Sequence, residues 1–139
     1  MAERRSLRIL VVEDDADSLS ALSRLIRMTG HVALPAGTAA DALNLARSQQ
    51  CDLVVSDVGL PDRSGLELMR ELRSLYEIPG IAVSGYTDAA DVDECERAGF
   101  ARHLKKPVDF QELLDTVEEL CRMPGTDGEA GGADSTDLR

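Results

Sequence analysis

The chain has 139 residues, 43% of them hydrophobic, and a formal net charge of −11. That length suits one domain with a sizeable core, and with aromatics at 3% and no Trp the core must be aliphatic. So acidic a surface argues against direct binding to nucleic acid or to an anionic membrane.

Residues Met1–Ser6 are charged and precede no apolar signal core, and no stretch approaches membrane-spanning length. Cys51, Cys95 and Cys121 are odd in number and form no Cys-x-x-Cys pair, which points to free thiols in a reducing cytosol and a cytoplasmic location. His31 and His103 are the only histidines, so zinc-ligand spacing is absent.

After a short extension at 1–7, Arg8–Val12 predicts a strand that runs into Glu13 and Asp14. Asp17–Thr29 then aligns Leu19, Leu22, Leu25 and Ile26 on one helical face. His31–Ala36 reads as a second strand. Thr38–Gln50 follows as a helix that gathers Ala39, Ala42, Leu43 and Ala46, with Thr38 placed to cap it. Leu53–Ser56 is a third strand, ended by Asp57, and Leu66–Tyr76 a helix aligning Leu66, Met69, Leu72 and Tyr76.

Gly80–Ser84 is the fourth strand. The helix after it, Asp88–Ala98, has only small or isolated apolar positions, so it is expected to pack weakly and to be a moving part. Ala101–Leu104 is the fifth strand. Asp109–Arg122 closes the series, capped by Asp109 and aligning Phe110, Leu113, Leu114, Val117 and Cys121. From Pro124 the composition turns to Gly, Asp, Ser and Thr, so 8–122 is expected to be the domain and 123–139 a disordered tail.

Five β-α repeats imply a doubly wound α/β fold: a parallel sheet with right-handed crossovers and helices on both faces. Ligands of such sheets bind beyond the carboxyl ends of the strands. Glu13, Asp14, Asp57, Ser84 and Lys106 fall at the ends of four of the five strands, skipping the second. Gathered carboxylates favour a divalent cation, and oxygen ligands on a partly open site suit Mg²⁺. Singly, each residue has a plainer explanation. Glu13–Asp17 would cap the next helix and complement its dipole, Asp57 and Ser84 would form turns, and Lys106 would be a solvated lysine. Lys106 precedes Pro107, and a cis bond there would aim its side chain over the sheet edge.

Together, Ile9–Asp15, Asp52–Asp57, Leu60–Leu68, Ser84-Gly85-Tyr86 and Lys106-Pro107 resemble the receiver domain of bacterial-type two-component response regulators. The resemblance runs from about Arg8 to Cys121. It implies a flavodoxin-like five-stranded sheet in the order 2-1-3-4-5. It also implies that Asp57 accepts a phosphoryl group from a phosphohistidine. Asp14 would bind Mg²⁺ directly, Glu13 through water, and the Gly59 carbonyl would complete the protein ligands. Lys106 and Ser84 would hold phosphoryl oxygens, and His103 falls at the family's switch position. The implied partners are a sensor histidine kinase or a histidine phosphotransfer protein. A downstream protein would be met by the face of the fourth helix, fifth strand and fifth helix. Such a domain promotes its own phosphorylation and dephosphorylation without being a conventional enzyme.

The chain departs from the family pattern in places. Gly59 stands two residues beyond Asp57 where many members carry a longer polar side chain, and Tyr86 stands two beyond Ser84. In the family that the chain resembles, both positions influence attack of water on the acyl phosphate, and this pair suggests a long-lived phosphoryl group. The switch position holds His103 where Tyr or Phe is common. Its other reading is a half-buried strand histidine. The wording around Ser84 and Lys106 looks closer to receivers of hybrid sensor kinases than to those of DNA-binding regulators. A stand-alone signalling module and a relay intermediate that passes the group to a phosphotransfer histidine both fit. A hydrolase of the haloacid dehalogenase type would need an acid at Gly59, and a dinucleotide binder would need glycines or hydroxyls where Glu13, Asp14 and Asp15 stand.

Overall fold

A computed structural model of the chain describes residues 6–85 and 89–121. Five strands alternate with five helices: β1 Arg8–Val12, α1 Ala16–Met28, β2 Val32–Ala36, α2 Ala39–Ser48, β3 Leu53–Asp57, α3 Gly65–Leu75, β4 Gly80–Ser84, α4 Ala89–Ala98, β5 Phe100–Lys105 and α5 Phe110–Cys121. The sheet is parallel throughout, in the order β2-β1-β3-β4-β5. The expected doubly wound, flavodoxin-like fold is therefore present, with element ends shifted by only a few residues.

Strand residues alternate between two cores, as they must in a sheet covered on both sides. Leu10, Val12, Val54 and Ala82 join α2, α3 and α4 on one face. Ile9, Val11, Leu53, Val55, Ile81 and Val83 join α1 and α5 on the other. The helices start where polar side chains accept the free amides of a first turn. Asp15 takes the Ser18 N–H, Thr38 the Asp41 N–H, Ser64 the Leu66 N–H and Asp109 the Glu112 N–H. Past the end of α1, Gly30 adopts φ +94°, a backbone that L side chains rarely take.

Two helical faces differ from the expected stripes. In α3 the fully buried residues are Leu68, Met69 and Leu72, whereas Leu66 and Tyr76 are only partly buried. The packed stripe is rotated towards Leu68, and Tyr76 already has extended backbone beyond the end of the helix. In α5, Phe110 is 45% exposed, while Leu113, Thr116, Val117 and Leu120 carry the packing. Phe110 is the first residue of that helix and lines a surface groove with Ala21, Leu25 and Met28 of α1. Among the α4 side chains that are described, Cys95 and Ala98 join the core.

Candidate functional site

The carboxyl ends of β1 and β3 bring Glu13, Asp14 and Asp57 together, with a carboxylate oxygen of each within 4.8 Å of the others. Register explains the meeting. Val12 pairs with Ser56, so the residues that follow emerge side by side at the same sheet edge. Glu13 is 3% exposed and Asp57 9%, while Asp14 lies open to solvent.

Lys106, after β5, reaches across this edge. Its Nζ lies 3.0 Å from Asp57 Oδ2 and 3.1 Å from Glu13 Oε1. The Lys106–Pro107 bond is cis, and the Lys106 N–H donates to the Ser84 carbonyl at 2.9 Å. That contact ties the β5–α5 turn to the end of β4. Burial pulls the Lys106 ammonium towards lower pKa, but its bonds to Asp57 and Glu13 and their charges outweigh it, so its pKa is raised. Burial raises the Glu13 carboxyl, and the Asp57 charge adds to this. The Asp15 N–H and Lys106 oppose it without cancelling it. Three carboxylates facing one ammonium thus leave negative charge uncompensated among oxygen donors. A hard divalent cation fits that donor set.

The acidic run after β1 splits between the two roles considered for it. Asp15 caps α1, and the Ser18 amide holds its carboxyl below the ordinary value. Glu13 instead turns into the site, where Oε2 accepts the Asp15 N–H at 3.1 Å.

The loop after β3 is compact. The Gly59 N–H donates to Asp57 Oδ1 at 3.2 Å, Gly59 bridges to Ser64, and the Gly65 N–H donates to the Val58 carbonyl at 2.6 Å. A Cβ on Gly65 would overlap the Asp57 carbonyl oxygen and lie 2.9 Å from Val58 Cα, so this close approach requires glycine. Beside Gly59, by contrast, no atom of the described residues lies within 4 Å of where a Cβ would stand.

Ser84 is buried at the end of β4. His103 pairs in register with Ala82 and is half-buried, and its Nε2 is buried with no hydrogen-bond partner among the described residues. Tyr86 lies outside the described residues, as do most of the extension and the tail at 123–139.

One residue at this edge lies in the Leu60–Leu68 segment that carries the resemblance, but the sequence assigns it no role. Asp62 accepts the Ala39 N–H at 2.9 Å on Oδ1 and the Ala40 N–H at 3.0 Å on Oδ2. These amides hold its carboxyl below the usual 3.8. The second strand, which carries no chemistry of its own, enters the site region this way. It does so also through Ala36, whose carbonyl accepts the Glu13 N–H at 3.0 Å. An Asp after Leu-Pro reads as a turn former, and nothing in the local pattern marks its partner 23 residues away.

Among known proteins, a 14.6 kDa protein encoded in the sodA1 3′ region of Leptolyngbya boryana is 36% identical over 81% of this chain and 88% of its own length. The transcriptional regulatory protein KdpE of Mycobacterium tuberculosis is 34% identical over 82% of this chain, which spans only 50% of that protein. The fold matches the CheY-like response regulator receiver domain protein of Methanospirillum hungatei with a TM-score of 0.82 at 27% identity, covering 91% of this chain and all of that one. No helix among the described residues is long and apolar enough to cross a membrane. Residues 9–118 match the family described as the response regulator receiver domain, and the chain belongs to that family of two-component signalling proteins.

Proposed function

We propose that this receiver accepts a phosphoryl group on Asp57 from a phosphohistidine of a sensor kinase or phosphotransfer protein. The observation that carries the reading is a nearly buried carboxylate at a strand end, touched by Lys106 and clustered with Glu13 and Asp14. In the reaction an Asp57 oxygen attacks phosphorus, the P–N bond breaks, and its electron pair returns to the imidazole of the donor. The product is an acyl phosphate, and the domain contributes positioning and charge more than covalent chemistry.

The ammonium of Lys106 leaves its bond to Asp57 and pairs with a phosphoryl oxygen. The Ser84 hydroxyl donates to another. Glu13, Asp14, Asp57 and the Gly59 carbonyl would hold Mg²⁺, which when bound supplies positive charge to the phosphoryl oxygens. Self-catalysed phosphorylation and later hydrolysis are then the domain's whole chemistry. Gly59 offers water no polar side chain, and the bulk of Tyr86 would shield the group, so the acyl phosphate is long-lived.

Phosphorylation shifts a pre-existing equilibrium. His103 is the switch residue, and its Nε2, without a partner among the described residues, supports this, because a second side-chain position could give that nitrogen one. The α4–β5–α5 face then meets a downstream protein. The small and isolated apolar positions of α4 support motion there.

The test is intact mass spectrometry after incubation with Mg²⁺ and acetyl phosphate. The wild type is expected to gain one phosphoryl adduct and Asp57→Ala none. An adduct of equal yield in Asp57→Ala, or no adduct in the wild type with any small donor or kinase, would overturn the proposal.

A further inference from the structure

We propose that Asp62 is a positioning residue: its carboxylate ties the β3–α3 loop to the first turn of α2 and so holds the Gly59 backbone against Asp57. The inference rests on the reading of Asp57 as phosphoacceptor and goes beyond it. Asp62 is not needed simply to begin α2, because Thr38 already caps that helix through the Asp41 N–H. The borrowed carboxylate takes the two preceding amides, one on each oxygen. Two bonds of nearly equal length to neighbouring amides fix the carboxylate's orientation as well as its place, so the loop cannot slide along α2 without losing both.

The helix it grips is itself fixed. Ala39, Ala42, Leu43 and Ala46 are buried against the sheet. The loop it belongs to is closed internally by the Gly59–Ser64 bridge and the Gly65–Val58 bond, so force on Asp62 is carried to Gly59.

Followed bond by bond, the contacts form a closed circuit around the site. The Glu13 N–H meets the Ala36 carbonyl, the chain continues to Ala39 and Ala40, these meet Asp62, and the loop returns through the Gly59 N–H to Asp57. Lys106 then joins Asp57 back to Glu13. Four of the five loops at this edge are in the circuit, and Asp62 is the link between the second and third. Partners that orient the groups around a metal or reacting centre are where such sites gain precision.

The experiment compares wild type, Asp62→Asn and Asp62→Ala in the full chain. Amide hydrogen exchange by NMR, without metal or donor, should show Gly59, Ala39 and Ala40 exchanging faster in Asp62→Ala. A Mg²⁺ titration should weaken by about tenfold. Adduct formation from acetyl phosphate should slow at saturating donor. Asp62→Asn keeps one carbonyl oxygen and should fall between the two, and it carries the test should Asp62→Ala fail to fold.

If Asp62→Ala lowers only the melting temperature, with Gly59 exchange and Mg²⁺ affinity unchanged, Asp62 is a helix cap and the proposal is wrong. A wild type that takes no phosphoryl group would remove the reading of Asp57 instead. The exchange and titration arms would still decide the role of Asp62.

Discussion

Replacing Lys106 by Met removes an ammonium from between two poorly solvated carboxylates while keeping most of the side-chain volume. That ammonium lies 3.0 Å from Asp57 Oδ2 and 3.1 Å from Glu13 Oε1. At an effective dielectric constant of about 20, each pair is worth about 5 kcal/mol of gross attraction. The net value is smaller, because the Lys106 side chain is 35% exposed and water screens it. Exposed pairs contribute about 0.2–1 kcal/mol, and stripping one partner from a buried pair costs about 3–5 kcal/mol. This site lies between those limits, so a loss of about 2 kcal/mol at neutral pH is expected.

The loss should depend on pH in a definite direction. Burial keeps the Glu13 carboxyl above its ordinary 4.5. Between that value and the folded one, the folded protein holds a proton that the unfolded chain has released, so stability falls as pH rises through the window. Without Lys106 the window extends upward, because the charge that favoured the carboxylate is gone. The deficit of Lys106→Met should therefore be smaller at a pH just above 4.5 than at neutral pH, the lost Asp57 pair contributing at both. Urea titrations followed by far-UV circular dichroism would measure it, since the chain has no Trp to serve as a fluorescent probe. An equal deficit at both pH values, or none at either, would refute the reasoning.

Gly65→Ala forces a methyl against the backbone of Asp57 and Val58, which cannot rotate away as a side chain would. It should cost about 1–3 kcal/mol in the same urea titration, and acetyl phosphate labelling should slow with it. Leu68 is fully buried in α3 and Leu66 is not, so Leu68→Ala should cost about 2–5 kcal/mol and Leu66→Ala about 1 kcal/mol or less. An inverted order would show that the packed face of α3 is misassigned. No atom of the described residues lies within 4 Å of where a Gly59 Cβ would stand, so Gly59→Asn should fold normally, and both this change and Tyr86→Ala should shorten the acyl-phosphate lifetime measured by loss of the adduct over time. An unchanged lifetime in both variants would remove the long-lived phosphoryl group from the picture.

The strands were legible because β-branched and aliphatic runs of about five residues, buried on both faces, leave little other reading. Their order of attachment to helices then implied which ends share an edge, and Glu13, Asp14, Asp57 and Lys106 do meet there. The Phe110 expectation failed because a helical stripe says which residues share a face, not how far the sheet extends to cover its first turn. Leu68 differs for a related reason: Leu68, Met69 and Leu72 lie on an apolar arc next to that of Leu66 and Tyr76, and packing against the sheet chooses which part of it is buried.

By itself, then, the sequence determined the fold class, the strand ends and the residue types that stand on them, since all of these follow from local periodicity and short-range spacing. Tertiary structure alone decided how the acidic run divides, with Asp15 capping α1 and Glu13 buried beside Lys106. It alone brought Asp62 to the amides of Ala39 and Ala40. Those outcomes depend on β2 and β3 flanking β1 in register, and a contact across that arrangement leaves no periodic trace in the chain.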